Sequence, residues 1–322
     1  MNPFFLKPVY QDYLWGGDRI PARFQRDLPP GRYAEAWEVS TRPEGQSLVV
    51  DGPWAGQPFG DVVRDHGAAL LGRRMATGRF PLLVKLIDAR ETLSVQVHPN
   101  NGNASRTGGE PKTEMWYVLD AGPGACVYAG LQPGVTERDL RAALADNTVE
   151  RLLVKLPVKA HDAVFVPGGR VHAIGAGCLL LECQQNSNTT YRLYDWGRTG
   201  ADGKPRELHL EPAMKVINWN EPAPALAQPK RLEVAGANER WEITRCPFFR
   251  MQRLDLVTEY TLPARPDAFR VLFVADGTIE LQTETYRSIA PVGRTVFVPA
   301  ACPHLTLGPG AAGATVMVMD VP

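Results

Sequence analysis

Four residues with metal-binding side chains stand on short β-type segments in the first part of the chain. Gln96 and His98 in SVQVHP are two positions apart, so on a strand both side chains point to the same face. Glu114 lies in the strand-like run PKTEMWY, and His172 follows a turn at VPGG. Because alternate residues of a barrel strand point inward, these segments can bring an amide, two imidazoles and a carboxylate to one point. This donor set suits a borderline cation such as zinc, with space left for water or substrate.

Four further polar residues stand beside this set or interrupt apolar runs. Lys112 shares a strand face with Glu114. A cation nearby would lower the pKa of the Lys112 ammonium, so that Lys112 could act as a base or proton relay. The alternative is that Lys112 is a solvated lysine at the rim. Lys85 interrupts PLLVKLI and Glu182 interrupts LLLEC. For Lys85 the alternative is an edge strand whose ammonium reaches water. Ser94 precedes the Q-x-H segment by two residues, faces the same side and is expected to contact substrate.

The elements that must position these side chains are mostly strands. From residue 81 onward, short runs of β-branched and aromatic residues alternate with Gly, Pro, Asn and Asp, which is typical of frequent chain reversals. One helix interrupts them: Thr136 begins a capping box, and the apolar spacing predicts a helix around residues 136–150. We therefore predict an all-β-dominated fold with a few helices.

A weak internal repeat predicts two barrels of related plan. The segments DAVFVPGGRVHAIG (162–175) and GRTVFVPAACPHLTL (293–307) share F-V-P and a histidine five positions after the proline, and WYVLDAG (116–122) matches LFVADGT (272–278). We predict two cupin (jelly-roll) β-barrels. His304 corresponds to His172, but Arg270 stands where Glu114 would be and no Q-x-H segment precedes it. The second barrel is therefore expected to be degenerate and metal-free.

The same pattern predicts two domains. Residues 1–220 would form the metal-binding cupin domain with helical and strand additions, and residues 221–322 the degenerate one. The Pro/Ala-rich stretch at 221–230 would be the linker or crossover between them.

Composition narrows the class of protein. The 322 residues are 44% hydrophobic and carry 35 basic and 35 acidic side chains, which favours a folded chain and argues against a nucleic-acid partner. The chain has no apolar run of membrane-spanning length and no leader-like amino terminus, and its five cysteines form no CxxC pair. We expect a cytoplasmic protein with reduced thiols and no membrane partner, either a monomer or a weak homo-oligomer.

Five motifs together resemble the type I phosphomannose isomerases, in particular their short bacterial form. They are QVHP (96–99), KTEMWYVL (112–119), VPGGRVHAI (166–174), LECQQNSNTTYRLYDW (181–196) and YLWGG (13–17). The resemblance is strong from residue 3 to about residue 220. It implies one zinc ion per chain, and it implies interconversion of mannose 6-phosphate and fructose 6-phosphate. The implied ligands are Gln96, His98, Glu114 and His172.

The resemblance also places Glu182 and Arg192 in the active site. An aldose–ketose isomerisation moves a proton between C1 and C2 through an enediol or enediolate, so it needs a base, a cation near the oxygens and a grip on the phosphate. Arg192 would either bind the phosphate bidentately or stabilise the enediolate. Lys112 and Glu182 complete the expected catalytic set, and Lys85, as a phosphate ligand, and Ser94 the substrate-binding set.

Two other functions remain open from the sequence. One is a different metal cupin, such as a dioxygenase or an isomerase of another sugar phosphate, although iron cupins usually present H-x-H where this chain has Q-x-H. The other is a non-catalytic sugar-binding cupin, which would leave the charged residues Lys85, Lys112, Glu182 and Arg192 without a role.

Overall fold

The computed structural model describes residues 1–75, 79–200, 203–221, 226–232 and 236–322. Strands dominate these ranges, as the sequence predicts. In chain order they are β1 (Phe4–Lys7), β2 (Val9–Gln11), β3 (Glu35–Val39), β4 (Thr41–Arg42), β5 (Gly45–Gln46), β6 (Leu48–Val49), β7 (Leu82–Ala89), β8 (Val95–Val97), β9 (Glu114–Ala121), β10 (Cys126–Leu131), β11 (Leu153–Pro157), β12 (Ala163–Val166), β13 (His172–Ile174), β14 (Cys178–Gln185), β15 (Tyr191–Tyr194), β16 (Lys230–Leu232), β17 (Glu239–Arg245), β18 (Arg250–Leu256), β19 (Tyr260–Leu262), β20 (Arg270–Gln282), β21 (Arg287–Pro291), β22 (Thr295–Val298) and β23 (Leu305–Asp320). The helices are α1 (Arg19–Arg23), α2 (Phe59–Leu71), α3 (Glu137–Ala145) and α4 (Leu210–Val216).

Helix α3 begins where the capping box predicts. The Thr136 hydroxyl accepts the backbone N–H of Asp139, and the Asp139 carboxylate accepts the backbone N–H of Thr136. The helix ends at Ala145, five residues before the predicted end, because Val149 belongs to a separate 3₁₀ turn. The helices in the described ranges are all too short or too polar to cross a lipid bilayer.

Two facing sheets form the first half of the fold. One has the order β12-β9-β14-β7-β3-β2, and the other has the order β11-β10-β13-β8-β15. Their inner side chains pack in one apolar cluster that includes Trp116, Val127 and Ile174. Every residue of β7 is buried, because the opposite face of its sheet packs against aromatic side chains from the second half, such as Phe273. This two-sided burial explains why PLLVKLI is almost continuously apolar instead of alternating.

The second half is one ten-stranded sheet. Its main path is β16-β17-β18-β23-β20-β22-β1-β6, with β19 paired to β23 and β21 paired to β20. The sheets of the described residues are separate and none closes on itself, but the all-β cupin class predicted from sequence is confirmed. Strands β1 and β6 come from the amino-terminal region and extend this sheet. The domain division after residue 220 stays a prediction, and residues 222–225 of the predicted linker lie outside the described ranges.

The strand register matches the internal repeat. Strand β9 pairs with β12 and β14, and strand β20 pairs in the same way with β22 and β23. Within these pairs Glu114 lies opposite Val166, and Arg270 lies opposite Val298. Arg270 therefore occupies the register position that Glu114 has in the first half, and His304 is exposed. The described residues of the second half thus lack the inward donor arrangement of the first.

A buried ion pair in the first half, between Arg26 and Glu38, is hydrogen-bonded to the second half. Arg26 donates to the Glu38 carboxylate over 2.7 Å and to the Gly293 carbonyl oxygen over 2.7 Å, and the Thr295 hydroxyl donates to the second Glu38 oxygen over 2.7 Å. The Glu38 side chain is 1% exposed and that of Arg26 11%. We predict that Arg26→Met lowers the free energy of unfolding by about 3–5 kcal/mol, since it leaves a buried carboxylate without its cation.

Thermal and urea denaturation of the purified variant would measure this loss. The control is Arg64→Met, which removes a surface pair with Asp61 in which the arginine is 66% exposed and which is worth at most about 0.5 kcal/mol. Equal losses of unfolding free energy in the two variants would show that the buried pair does not stabilise the contact between the halves.

Candidate functional site

Three buried side chains from the first half form a cluster that could hold a metal ion. His98, Glu114 and His172 place their ligand atoms within 4.8 Å of one another. The His98 Nε2 atom lies 3.6 Å from one Glu114 carboxylate oxygen, and the His172 Nε2 atom lies 3.4 Å from the other. All three side chains are 1% exposed. Strands β9 and β13 carry Glu114 and His172, and His98 directly follows β8.

Backbone carbonyl groups orient both imidazole rings. The Nδ1 atom of His98 lies 2.8 Å from the Thr189 carbonyl oxygen, and that of His172 lies 2.8 Å from the Arg170 carbonyl oxygen. Each Nδ1 therefore carries the proton, and each Nε2 presents its lone pair to the cluster. Burial lowers the pKa of His172 to about 3 and that of His98 well below 6.5, with the Lys112 charge contributing in both cases. Both rings are neutral at physiological pH, as metal ligands must be.

The carboxylate of Glu114 fits a bound cation. Its side chain is fully buried, and neither oxygen accepts a hydrogen bond from any described residue. The nearest positive group is the Lys112 ammonium, 2.8 Å from one oxygen but outside hydrogen-bonding angles. A buried anion without hydrogen bonds is costly unless a cation compensates it. The two neutral imidazoles and the carboxylate together match the ligand chemistry of zinc.

Strand pairing places Gln96 beside this cluster. His172 on β13 lies opposite Gln96 on β8, and Gln96 lies opposite Arg192 on β15. The Gln96 amide nitrogen is 3.3 Å from the His172 Nε2 atom, and its oxygen accepts the Ser94 hydroxyl over 3.4 Å. A half-turn of the terminal amide would direct the oxygen toward the cluster. This cross-strand row puts a guanidinium two strands away from His172.

Lys112 links the cluster to an open cavity. Its ammonium lies 3.2 Å from the His98 Nε2 atom as well as close to Glu114, and the side chain is 6% exposed. Binding of a divalent ion requires this ammonium to turn from the donors toward the cavity, which Lys112 also lines. Lys112 is therefore not a solvated lysine at the rim, and that alternative is wrong.

The cavity has a volume of about 280 Å³ and lies between the two sheets of the first half. All predicted catalytic and substrate-binding residues line it, together with one predicted ligand. They are Lys85, Ser94, Gln96, Lys112, Glu182 and Arg192. The other three predicted ligands, His98, Glu114 and His172, are the buried cluster that Gln96 and Lys112 contact. The structure thus brings every sequence-predicted site residue to one place.

Lys85 is held between two carboxylates. Its ammonium lies 3.1 Å from a Glu35 oxygen, 3.8 Å from a Glu182 oxygen and 5.1 Å from the centre of the Trp37 ring. Lys85 lies opposite Trp37 on β3 and opposite Glu182 on β14, so strand register sets the arrangement. Burial alone lowers the pKa of Lys85, but Glu35 and Glu182 outweigh burial and the pKa is raised. The lysine is central in its sheet, so the edge-strand alternative is wrong.

One carboxylate oxygen of Glu182 accepts a hydrogen bond, and the other, which lies 3.8 Å from the Lys85 ammonium, accepts none from the described residues. The Trp116 indole donates to the first of these oxygens over 3.0 Å. Burial and the charge of Glu114 raise the pKa of Glu182, and Lys112 and Lys85 oppose this shift. A carboxyl group with a raised pKa and a free oxygen in a cavity is suited to proton transfer.

Five polar residues of the cavity were not predicted from the sequence: Tyr13, Glu35, Asn188, Thr190 and Arg206. The sequence contained a usable signal for Glu35, because E-A-W-E places Glu35 two residues from Trp37, on the same face of a strand. In the structure this strand is buried, and the Trp37 indole donates to Glu35 over 2.6 Å. Arg206 had no such signal, since it lies in the connection between β15 and α4.

Comparisons with known proteins connect this site to one family. Residues 4–128 match the model of the phosphomannose isomerase type I catalytic domain. A mannose-6-phosphate isomerase of Streptococcus mutans is 39% identical over 249 residues, which are 77% of this chain and 77% of that protein. The structure of mannose 6-phosphate isomerase from Bacillus subtilis is similar over 99% of both chains, with a TM-score of 0.89 and 29% identity. A mannose 6-phosphate isomerase bound with zinc and yttrium shares the fold over 100% of this chain and 99% of that one, with a TM-score of 0.75 and 16% identity.

We predict that divalent metal binds only through the first-half cluster. His98→Ala and His172→Ala each remove a donor, so the metal retained after purification should fall at least roughly tenfold. Elemental analysis of dialysed protein would measure it, with thermal denaturation as a check on folding. The matched control is His304→Ala, which changes the exposed histidine at the corresponding place in the repeat and should retain the metal. Metal loss in the His304 variant with retention in the His98 variant would contradict the assignment.

Proposed function

The chain belongs to the type I phosphomannose isomerase family, and we propose that it interconverts mannose 6-phosphate and fructose 6-phosphate through an enediol or enediolate with one bound zinc ion. The family membership confirms the resemblance and the isomerase class predicted from the sequence. The observation that carries the mechanistic proposal is the Glu114 carboxylate. It is buried, accepts no hydrogen bond from described residues, and lies between two lone-pair-bearing imidazole nitrogens beside a charged cavity.

Gln96, His98, Glu114 and His172 would hold the zinc ion. One negative charge among four ligands leaves the ion with net positive charge, so when bound it polarises substrate oxygens as a Lewis acid. The amide of Gln96 would be its most exposed protein ligand, since Gln96 alone of the four lines the cavity. The buried donors would exclude water from one side of the ion, and the cavity would give substrate access to its other side.

Glu182 and Lys112 are proposed to move the protons of the reaction. The isomerisation takes a proton from one of C1 and C2 and returns it to the other. The free Glu182 oxygen with its raised pKa suits this transfer, and Lys85 beside it compensates the carboxylate charge. Lys112 can donate to or accept from a substrate oxygen once its ammonium turns into the cavity. The choice between the two as base at carbon is left to the kinetics below.

Arg192 is proposed to stabilise the developing negative charge. It lies one strand from Gln96, and its Nε atom is buried without a hydrogen-bond partner among the described residues. Its side chain is oriented by donation to the Glu207 carbonyl oxygen over 2.8 Å. A preorganised guanidinium at this position would stabilise an enediolate more than the neutral substrate. Ser94, which donates to Gln96, is proposed to contact substrate or to hold that ligand in place.

The direct experiment combines metal analysis with an isomerase assay on the purified wild-type protein. We expect about one zinc ion per chain and turnover of mannose 6-phosphate that is lost on chelation and restored by zinc. Glucose 6-phosphate and unphosphorylated mannose serve as comparison substrates. A zinc-loaded, folded protein that does not convert mannose 6-phosphate would contradict the proposal, as would full activity after complete metal removal.

Two substitutions separate proton transfer from charge stabilisation. Arg192→Ala should retain zinc but lose roughly a hundred- to thousandfold in kcat, because it removes one charge-stabilising donor without touching a ligand. Lys112→Ala should also retain zinc, with a comparable or larger loss and an altered pH profile if Lys112 transfers the proton. Steady-state kinetics with metal quantified on the same samples would distinguish them. Near-normal turnover in both variants would overturn the proposed roles and leave the metal site untouched.

A cytoplasmic location and a monomeric or weakly associated state remain part of the proposal. The five cysteines are all free thiols, which is the state expected in a reducing compartment. Size-exclusion chromatography with light scattering would determine the oligomeric state.

A further inference from the structure

The two walls of the cavity carry different charges. The wall from the six-stranded sheet presents Lys85 between Glu35 and Glu182, and Lys112, two residues before β9, adds a second ammonium, so cations and carboxylates alternate on this wall. The wall from the five-stranded sheet and the connection that follows it presents Arg192 and Arg206. A phosphorylated sugar in the cavity meets these two environments with its two chemically different ends.

Lys85 is poorly placed to bind a phosphate dianion. Its ammonium already lies 3.1 Å from Glu35 and 3.8 Å from Glu182. A phosphate close enough to accept from Lys85 would also approach both carboxylates, and like charges in a poorly solvated site repel strongly. The sequence predicts that Lys85 binds the phosphate, but another cation lining the same cavity is better placed for this role.

Arg206 has the properties that a phosphate-binding residue in this cavity needs. Its Nε and Nη2 atoms donate to the two oxygens of Asp195, over 2.7 Å and 2.5 Å, which fixes the plane of the guanidinium. A guanidinium carries five N–H donors, so about three remain for another acceptor. The side chain is 24% exposed and lines the cavity, and Asp195 is 6% exposed. A rigid, partly exposed guanidinium fork matches the bidentate geometry of a phosphate.

Arg206 lies close to two other guanidinium groups, those of Arg192 and Arg198, and Arg198 also pairs with Glu91 over 3.6 Å. Asp195 also accepts from Arg198 over 2.5 Å, so one buried carboxylate holds two guanidinium groups. Burial lowers the pKa of Arg192, and repulsion by the charges of Arg206 and Arg198 lowers it further, while Asp195 and Glu207 oppose the shift. An anion bound by Arg206 beside Arg192 would relieve this repulsion.

We propose that Arg206, held by Asp195, anchors the phosphate group of the substrate and sets the preference of the enzyme for phosphorylated sugars. The inference rests on the proposed function, because it concerns the substrate of the same cavity. It orients the substrate so that the phosphate lies at Arg206 and the sugar carbons lie between Gln96 and Arg192 on one wall and Glu182 and Lys112 on the other.

The test uses the zinc-loaded enzyme with Arg206→Ala, Arg206→Lys and the matched control Arg198→Ala. Arg198 shares the same Asp195 partner but does not line the cavity. Arg206→Ala should raise KM for mannose 6-phosphate and the inhibition constant of inorganic phosphate each about ten- to hundredfold, with kcat reduced much less. Arg206→Lys should fall between, since it keeps the charge and loses the fork. Arg198→Ala should change both constants less than about twofold, as expected for a guanidinium outside the binding site.

Three results would overturn the anchor. One is an equal rise of both constants in the Arg198 variant, which would mean that the effect passes through Asp195. Another is a loss of kcat with KM unchanged in Arg206→Ala. The third is an inhibition constant of phosphate that rises in Lys85→Ala but not in Arg206→Ala. Calorimetric titration of the wild-type enzyme and Arg206→Ala with phosphate separates this proposal from the proposed function. Arg206-dependent phosphate binding in a protein that does not isomerise mannose 6-phosphate would support the anchor and refute only the reaction.

Discussion

The burial of the Glu114 carboxylate is the constraint on which the site depends. A fully buried carboxylate whose oxygens accept no hydrogen bond from described residues requires a cation nearby. In the structure the Lys112 ammonium lies 2.8 Å from one of these oxygens. The neutral imidazoles of His98 and His172 approach the two oxygens, each ring oriented by a backbone carbonyl group, so that all three side chains could share a bound cation. The same strand register that aligns these donors carries Gln96 and Arg192 into one row with His172, so the candidate metal ligands and the guanidinium have a common geometric origin.

A second row of paired residues shapes the opposite wall of the cavity. Trp116, Glu182, Lys85 and Trp37 lie on four successive strands, each opposite the next. Two indole N–H groups hold the two carboxylates that flank the lysine, Trp116 for Glu182 and Trp37 for Glu35. The lysine therefore serves to balance the carboxylates, which leaves the free Glu182 oxygen available for proton transfer. We therefore propose the guanidinium groups of the other wall, and not Lys85, for phosphate recognition.

The second half repeats the strand arrangement without the chemistry. Arg270 occupies the register position of Glu114, and burial together with three neighbouring arginines lowers its pKa to about 10, opposed by Asp320. Its guanidinium donates to the Pro263 carbonyl oxygen instead of meeting a metal. This half covers the outer face of the six-stranded sheet with aromatic side chains and is tied to the first half by Arg26, Glu38 and Thr295. It contacts the site only indirectly in the described residues, through the sheet that carries Lys85 and Glu182.

The sequence by itself determined the class of fold and the helix start at Thr136, and it pointed to the four candidate metal ligands, because these depend on local signals: strand parity, a capping box and residues two apart on one strand. It also singled out Lys85, Lys112, Glu182 and Arg192 as charges that needed a role. Only the tertiary structure decided their partners. Lys85 meets Glu35 and Glu182 because strands distant in sequence pair in one register, and Arg206 reaches the cavity from a connection without periodic pattern. Such contacts join residues up to about a hundred positions apart, and no local rule of spacing encodes them.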